Sequence, residues 1–557
     1  MSVLTVAVLT ALAVGAPGAG LPQVAAGWGP TTTHDTCRTC PTLLNDPPRV
    51  AGRSPDDRED AVSMSGITCY VDTTAGSDEN AGTSPDHPWR SLERVSRSRP
   101  GPGARILLAG GQVFPGTLRL NKLSGSEDAP IVVSSFGHAR STIDGGRGDG
   151  IVITDCDHVT VRDVSVVGCG RGDGSDGAGV ILLRTAHVVL DGLDVSGFRA
   201  AGVSAGGDVG TRITSVRSHD NGSAGITVNG RYEDVPRSRD LYIGHCVVYN
   251  NPGDPRNLDN HSGNGIVVGG LDGGRIEYCE AFNNGWEMPR TGNGPVGIWG
   301  WNCDRLTIQY CISHDNRSPG EDGGGFDFDG GVTNSTMQYN LSYDNEGTGY
   351  LLCQYPGAPR WHSNIVRYNI SINDGSRSFH SGIGLWLGDT GISDALIYNN
   401  TIVNAVHAVA TKGDLPGFVY RNNVFVAGQA PLDGSFVSSR YEGNLYWRAG
   451  PGVFCRDGEA ERNTLEDWAR ATGQEMVSGW LVALWADPMI VMPGPGDELP
   501  RDPLDLATMP FGRLRSGSPC VGAGVSVPDN GGRDLFGNAV AATGRPSLGA
   551  CEVPVDG

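Results

Sequence analysis

The segment GGGFDFDGG at 323–331 carries two aspartates whose spacing suits acid–base chemistry. Side chains alternate along a β-strand, so Asp327 and Asp329 share one face and the two phenylalanines share the other. Two neighbouring carboxylates repel each other, and this raises the pKa of one of them. Cleavage of a glycosidic bond uses one protonated and one ionised carboxyl group. The strand therefore predicts Asp327 and Asp329 as a catalytic pair.

Tryptophans occupy outward positions on the strands next to the acidic strand. Aligning the strands that begin with glycine places Trp299 and Trp386 at the outward position of Asp327, and Trp301 two residues further along. Strands of successive coils lie about 4.8 Å apart, and sugar rings repeat on a similar scale. Indole faces pack well against the C–H faces of sugars. The pattern predicts that the three tryptophans bind a carbohydrate.

Loops before the outward-facing strands add further candidate residues. Asp322 is predicted as a third catalytic carboxyl group, which would raise the pKa of a neighbouring acid. Arg290 and Glu321 are predicted to contact the substrate. Long loops on a rigid scaffold usually carry binding residues. We expect four such loops to leave the coil at one corner and to wall one side of the acidic strand, namely 251–264, 285–296, 317–324 and 355–363.

Three functions are compatible with these residues. The favoured one is glycoside hydrolysis, because the Cα atoms of Asp327 and Asp329 should lie about 6.5–7 Å apart, near the spacing of inverting enzymes. The second is β-elimination by a polysaccharide lyase, with Ca²⁺ held by Asp322 and the two strand aspartates and with Arg290 or Lys412 as the base. Lys412 lies three coils from Asp329, about 14 Å away, which argues against it. The third is a non-catalytic adhesion protein in which the acids hold a structural Ca²⁺.

These residues belong to a chain that repeats itself. Segments of the type IGHCVVYNN recur at 243, 276, 308, 337 and 366, and a second series begins with glycine. Each segment alternates apolar with polar residues and ends in Asn or Asp, which indicates a strand followed by a turn. A repeat of this length buries its apolar face only by stacking on the next copy. We predict an all-β parallel β-helix with stacked asparagines at the turns and with the recurring Cys246, Cys279 and Cys311 in its interior.

The two ends of the chain resemble those of a known superfamily. YVDTTAGSDENAGTSPDHPWRSLERV at 70–95 is similar to the start of many members, and FGRLRSGSPCVGAGV…RDLFGN…PSLGACE between 511 and 552 is similar to their tails. The chain thus resembles the right-handed parallel β-helix proteins of the pectin-lyase-like superfamily, many of which are secreted. The resemblance implies a short N-terminal capping helix and a carbohydrate-active protein. Cys520 and Cys551, in positions that usually carry other residues, hint at a disulfide.

Length and charge set the remaining expectations. The chain has 557 residues, 84 of them glycine, and a formal net charge of −20, which opposes binding to nucleic acid or to an anionic membrane. The apolar residues 3–16 predict a signal peptide over 1–25 and hence a secreted protein. A linker over 26–67, a parallel β-helix over 68–450 and a C-terminal insertion with the final coils and tail over 451–557 complete the predicted organisation. The sequence NTLEDWARAT at 463–472 predicts a short helix with an asparagine cap. We expect a monomer that acts on a polysaccharide or oligosaccharide and needs no cofactor, although calcium could bind.

Overall fold

The computed structural model describes residues 64–172, 174–229, 236–388, 391–413, 415–448, 450 and 452–553. The predicted signal peptide and most of the predicted linker lie outside these ranges. Within them the chain is a parallel β-helix with few helical segments, as the repeats predict. No helix in the described part is both long and apolar enough to cross a membrane.

Each complete coil contributes three strands, which stack into three parallel ladders, and two long strands run through both the first and the second ladder. The first ladder carries the acidic strand and consists of Leu118–Asn121, Ile151–Thr154, Val180–Leu183, Ala201–Gly206, Ala224–Asn229, the first halves of Asn264–Glu277 and Val296–Gln309, Gly324–Phe328, Tyr350–Gln354, Ser381–Leu387, His407–Lys412, Leu432–Gly434 and Cys455–Asp457. The second ladder consists of Thr68–Val71, Arg105–Ala109, Ile131–Phe136, Val159–Arg162, Val189–Asp191, Arg212–Thr214, Ser238–Gly244, the second halves of the two long strands, Thr336–Gln338, Asn364–Arg367, Ala395–Tyr398, Val419–Arg421 and Arg440–Glu442. The third ladder consists of Val113–Pro115, Ser141–Gly146, Val164–Gly168, Asp194–Ser196, Arg217–His219, Val247–Tyr249, Glu280–Phe282, Ile312–His314, Leu341–Tyr343, Ile370–Ile372, Thr401–Asn404, Val424–Ala427, Leu445–Arg448 and Leu484–Trp485.

A single left-handed residue bends the chain between the second and the third ladder. In IGHCVVYNN the first strand ends at Gly244, His245 has φ of 55°, and the next strand begins at Val247. Tyr278 and Tyr310 hold the same place in the following coils, with φ of 53° and 51°. The segment predicted as one strand is therefore two short strands joined by a sharp bend.

The interior is one continuous column of apolar side chains. Cys246, Cys279 and Cys311 are fully buried within it, beside the inward-facing isoleucines and valines of every ladder. The prediction that these cysteines are core residues is confirmed. Removing this apolar surface from water provides the main driving force that holds the coils together.

Side-chain amides bond from coil to coil at the corner that leads into the first ladder. The Nδ2 atom of Asn251 donates to Oδ1 of Asn284 at 2.9 Å, and Asn284 donates in the same way to Asn316 at 2.9 Å. The ladder continues from Asn316 to Asn345 and ends on Asp374, at 2.9 and 2.8 Å. This confirms the predicted bonding along the stack. Its five residues lie at the start of the connections that precede five consecutive first-ladder strands, from Asn264–Glu277 to Ser381–Leu387.

A helix lies at each end of the coil. The helix Leu92–Arg97 buries its apolar side in the N-terminal end of the core, as the resemblance implies. Towards the other end the helix Leu465–Thr472 packs Trp468 into the core. Its cap is Thr464, whose hydroxyl accepts a hydrogen bond from the Asp467 amide at 3.1 Å, rather than the preceding asparagine that the sequence suggested. The C-terminal region also contains a two-strand hairpin, formed by Met476–Val477 and Trp480–Leu481. The short strand Ala460–Arg462 and the 3₁₀ turn Pro503–Asp505 complete it.

The C-terminal tail packs over the outer face of the coil. The hydroxyl of Tyr339 donates to the carbonyl of Arg533 at 3.1 Å, and Arg501 pairs with Glu280 at 3.0 Å. Cys520 and Cys551 are both buried free thiols, so the disulfide suggested by the resemblance does not form in the structure.

Candidate active site

Asp327 lies on the outer face of the acidic strand, as the alternation predicts. Phe326 and Phe328 on either side of it are buried in the core, so Asp327 points away from the interior. Parallel pairing places Asp327 between Trp299 and Leu351 of the two neighbouring coils. Asp327 is nevertheless only 3% exposed. The outer face of the coil is therefore covered at this position.

Asp322 and Asp329 flank Asp327, because one precedes the strand and the other follows it. Both are partly exposed. Asp322 has a left-handed backbone with φ of 59°, and its Oδ2 atom accepts a hydrogen bond from the Gly294 amide at 2.8 Å. The Oδ1 atom of Asp329 accepts hydrogen bonds from the backbone amide of the next residue and from the Cys353 thiol, both at 2.6 Å. Three carboxyl groups thus meet in one small region.

Burial raises the pKa of all three carboxyl groups, and the further influences on them differ. Burial, and then the negative charges of Asp329 and Asp322, raise the pKa of Asp327 far above its usual value, and its Oδ1 atom makes no hydrogen bond within the described part of the chain. Burial raises the pKa of Asp322 to about 7, against the opposing effects of the Gly294 amide and the Lys412 charge. Burial also raises the pKa of Asp329, but its two hydrogen-bond donors oppose the change. Burial and the neighbouring charges therefore favour the neutral form of Asp327, whereas the two donors favour the ionised form of Asp329.

The two strand aspartates approach each other closely. One oxygen of Asp327, one oxygen of Asp329 and the sulfur of Cys353 all lie within 4.8 Å of one another. The two side chains therefore converge on the outer face, as neighbouring outward positions of one strand allow.

Trp299 is buried, which corrects the prediction that it forms an open plate. It is 3% exposed, its Nε1 atom donates to Oδ1 of Asn264 at 3.1 Å, and the His261 ring meets it edge-on at 5.0 Å. Trp299 packs with small aliphatic side chains in a cluster outside the interior core, and the partly exposed Trp301 packs against that cluster. Trp299 thus forms part of the floor of the site.

Trp386 lies two residues away from its predicted alignment. It pairs with Cys353 and Lys412, and Gly384 holds the position that the prediction gave to the tryptophan. The segment SGIGLWL contains two glycines that fit the start of a repeat, and the first of them is the one used. Trp386 is partly exposed, and Leu385 before it is buried in the core, so the indole is on the outer face.

The long loops lie at two corners, not at one. The loops 251–263, 283–295 and 315–323 each precede a first-ladder strand, as predicted. The fourth predicted loop, 355–363, lies instead between the strands Tyr350–Gln354 and Asn364–Arg367, at the opposite end of the first ladder. A Cβ atom at Gly330, next to Asp329, would lie 2.5 Å from the ring of Tyr355, so this loop packs against the end of the acidic strand. The acids therefore have walls on both sides.

Arg290 and Glu321, the two predicted substrate contacts, lie in different parts of this surface. Burial, followed by the positive charge of Arg290, lowers the pKa of His261 to about 4, which places Arg290 at the Trp299 end of the site. Glu321 is exposed, and its Oε2 atom accepts from the hydroxyl of Ser378 at 3.5 Å.

A pocket of about 470 Å³ opens on the Glu321 side of the acids. The ammonium group of Lys412 lies 4.4 Å from the centre of the Phe379 ring in its wall, and the charge of Lys412 acts on Asp322. The lining residues are Gly320, Glu321, Arg377, Ser378, Phe379, His380, Ala410, Thr411, Lys412 and Asp433. The volume and the mixed polar and aromatic lining are suited to a small polar ligand such as a sugar ring.

Two residues of the site have roles that sequence reasoning did not assign. Cys353 lies in the first-ladder strand that follows the acidic strand, and nothing in the sequence indicates that its thiol donates to the Asp329 carboxylate. Lys412 was set aside because of its backbone distance from Asp329, and that distance ignores the reach of a long side chain. Both omissions concern where a side chain ends, which the periodicity of the repeats does not specify.

The fold and the site define this protein as a parallel β-helix with an acidic cluster on its outer face. The sequence matches the family described as "right handed beta helix region" over residues 106–255 and 254–467. The chain belongs to this family.

Comparisons with known proteins give three informative matches. A curated protein of Bifidobacterium longum subsp. longum, Lacto-N-biosidase, is 26% identical over 622 aligned residues, which cover 89% of this chain and 37% of that protein. The chain thus spans 37% of the length of this relative. The crystal structure of a GH136 lacto-N-biosidase from Eubacterium ramulus matches with 20% identity, a TM-score of 0.42, and coverage of 60% of this chain and 64% of that one. Pectate lyase Pel9A matches with 15% identity, a TM-score of 0.43, and coverage of 88% and 97%.

Proposed function

We propose that this protein is a glycoside hydrolase that cleaves an oligosaccharide or polysaccharide outside the cell. The observation that carries the proposal is the group of three carboxyl groups whose surroundings favour different protonation states. The pKa of Asp327 is raised far above its usual value by burial and by the charges of Asp329 and Asp322, Asp322 has a pKa of about 7, and Asp329 keeps two hydrogen-bond donors on one oxygen. An enzyme that cleaves glycosidic bonds needs one proton donor and one carboxylate in reach of the same bond.

Exposure and hydrogen bonding decide which acids touch the substrate. Asp322 and Asp329 are partly exposed, whereas Asp327 is 3% exposed. In this proposal Asp322 donates its proton to the glycosidic oxygen, and Asp329 as a carboxylate acts on the anomeric carbon, directly or through a water molecule. Asp327 stays protonated beside Asp329 and so adds no second negative charge to the site. This replaces the Asp327–Asp329 pair that the sequence favoured.

The substrate is proposed to occupy the surface that runs from Trp301 past the acids to the pocket beside Glu321. Trp301 and Trp386 are partly exposed on the outer face, and Phe379 lines the pocket. Aromatic faces bind the C–H faces of sugars, and the charged groups around the pocket bind hydroxyl groups. The 26% identity to a protein named Lacto-N-biosidase supports a lacto-N-bioside as the first substrate to test.

Calcium fits the acidic cluster poorly. The three candidate ligand atoms that lie close together include the sulfur of Cys353. Calcium prefers six to eight oxygen ligands, and a thiol is not among them. The donor set thus argues against a calcium-assisted lyase and against a structural calcium site.

The test is a screen of purified protein against a chromogenic lacto-N-bioside and against neutral and uronic polysaccharides. Release of the chromophore or of reducing ends without ultraviolet absorbance from a new double bond supports hydrolysis. An unsaturated uronate in the product would show lyase chemistry instead, with Lys412 in the pocket as the candidate base. No turnover of any substrate, together with tight glycan binding, would support a non-catalytic adhesion protein.

A further inference from the structure

A second cluster of ligating side chains lies on the outer surface of the N-terminal coils. Asp157, His158 and His187 stand at the bend between the first and the second ladder in two successive coils. This bend is five to six coils before the acidic strand, about 24 Å or more along the axis at the spacing of parallel strands. The proposed catalytic surface does not use it.

The backbone brings the two histidines into register. Asp157 and Ala186 form a parallel bridge, so His158 and His187, which follow them, hold equivalent places in adjacent coils. Both histidines have φ of 50°, and their rings stack with centres 4.4 Å apart and planes 25° apart. The next coil has Gly210 at this place, where a Cβ atom would lie 2.9 Å from the His187 ring. The absence of a side chain at Gly210 thus allows the His187 ring to lie against that coil.

One oxygen of Asp157 lies close to a nitrogen of each ring. Its Oδ1 atom is 2.7 Å from Nδ1 of His158 and 3.0 Å from Nδ1 of His187. The second contact has the geometry of a hydrogen bond, but the first does not. The Nδ1 atom of His158 is shielded from solvent and makes no hydrogen bond to any described residue. A buried ring nitrogen without a hydrogen bond is uncommon in folded proteins, and a bound ion is one way to satisfy it.

We propose that Asp157, His158 and His187 form a binding site for one transition-metal cation of the Zn²⁺ class. A set of two imidazole nitrogens and one carboxylate oxygen binds Zn²⁺, Ni²⁺ or Cu²⁺ more strongly than it binds Ca²⁺ or Mg²⁺. With metal–ligand bonds of about 2.0–2.2 Å, neighbouring ligand atoms lie roughly 3–3.4 Å apart. In the structure one ligand atom from each of the three residues lies within 4.8 Å of the other two, so the side chains are close enough to converge on one ion. Side-chain exposure of 22% for His158 and 52% for His187 leaves a path for the ion and for the water molecules that complete its coordination.

Calorimetric titration of tag-free, chelator-treated protein with Zn²⁺ tests the site. The wild type should bind one more equivalent of Zn²⁺ than the variants His158→Ala and His187→Ala. In each variant the affinity of this site for Zn²⁺ should be at least about tenfold weaker. The exposed His138 lies outside the cluster, and His138→Ala should bind as the wild type does. Ca²⁺ and Mg²⁺ should give no heat of binding at the site. Because the proposed function does not involve this cluster, hydrolysis should be unchanged in both histidine variants.

Electron paramagnetic resonance with Cu²⁺ gives a second readout that does not depend on stability. The wild-type spectrum should show coupling to two imidazole nitrogens, and the His187→Ala spectrum to one. Equal Zn²⁺ binding by the wild type and by the His158→Ala/His187→Ala double variant would overturn the proposal. Absence of binding by a folded wild type would overturn it as well, and would show that the cluster is held by hydrogen bonds alone.

Discussion

Replacing Asp322 by asparagine should stabilise the protein at neutral pH while it removes activity. In the folded protein, burial raises the pKa of this carboxyl group from 3.8 to about 7. The folded state therefore binds the proton more tightly than the unfolded state, and the free energy of unfolding falls as the pH rises from about 4 to about 7. A difference of about three pKa units corresponds to roughly 4 kcal/mol. Solvent screening at this partly exposed group reduces the expected effect to about 2 kcal/mol.

Asparagine at position 322 retains the shape of the side chain and an acceptor for the Gly294 amide, and it never ionises. Asp322→Asn should thus be more stable than the wild type by about 2 kcal/mol at about pH 8 and nearly equal to it at about pH 4. Urea unfolding followed by tryptophan fluorescence measures both differences. Asp128→Asn, at an exposed aspartate, is the matched control and should show no difference at either pH. An Asp322→Asn protein that is no more stable than the wild type at about pH 8 would refute the reasoning.

Three further predictions follow from the site. Cys353→Ala removes one of the two donors to Asp329 and so raises the pKa of that carboxyl group. The acidic limb of the pH profile of kcat/KM should therefore move to higher pH by about half a unit to one unit. An unmoved limb would show that Asp329 does not titrate in this profile. Trp299→Ala should lower the free energy of unfolding by about 3–5 kcal/mol, because it leaves a cavity at a buried site. Trp386→Ala should instead raise KM with little loss of stability. Calorimetry measures the stability of both variants, and steady-state kinetics measures their KM. EDTA should leave the rate of hydrolysis unchanged, and a loss that Ca²⁺ restores would contradict the assignment of the acids as metal-free catalysts.

Periodic features of the sequence predicted the fold well. The recurring segments predict a parallel coil because a short repeat has no other way to bury its apolar face. The asparagine ladder from Asn251 to Asp374 follows from the same periodicity, since stacked amides satisfy one another. The single left-handed residues such as His245 were missed, because they are not glycines and leave no compositional signal.

The site was predicted less completely than the fold. Alternation placed Asp327 on the outer face, but the sequence could not show that the site's walls cover it. The alignment of Trp386 failed because two glycines in one segment fit the same repeat position. Trp299 was expected in the open, but the loop that carries His261 packs against it. These errors arise from contacts between loops and coils, which depend on the whole chain and not on local pattern.

The most direct test of the account compares kcat/KM of Asp329→Asn with that of Asp327→Asn on a substrate found in the screen. Asp329 is proposed to act as a carboxylate, so its replacement by a neutral amide should lower kcat/KM by about 10³-fold or more. Asp327 is proposed to stay protonated, because burial raises its pKa far above the usual value, so asparagine there should retain kcat/KM within about tenfold of the wild type. A large loss in Asp327→Asn together with near-normal activity in Asp329→Asn would contradict the assignment.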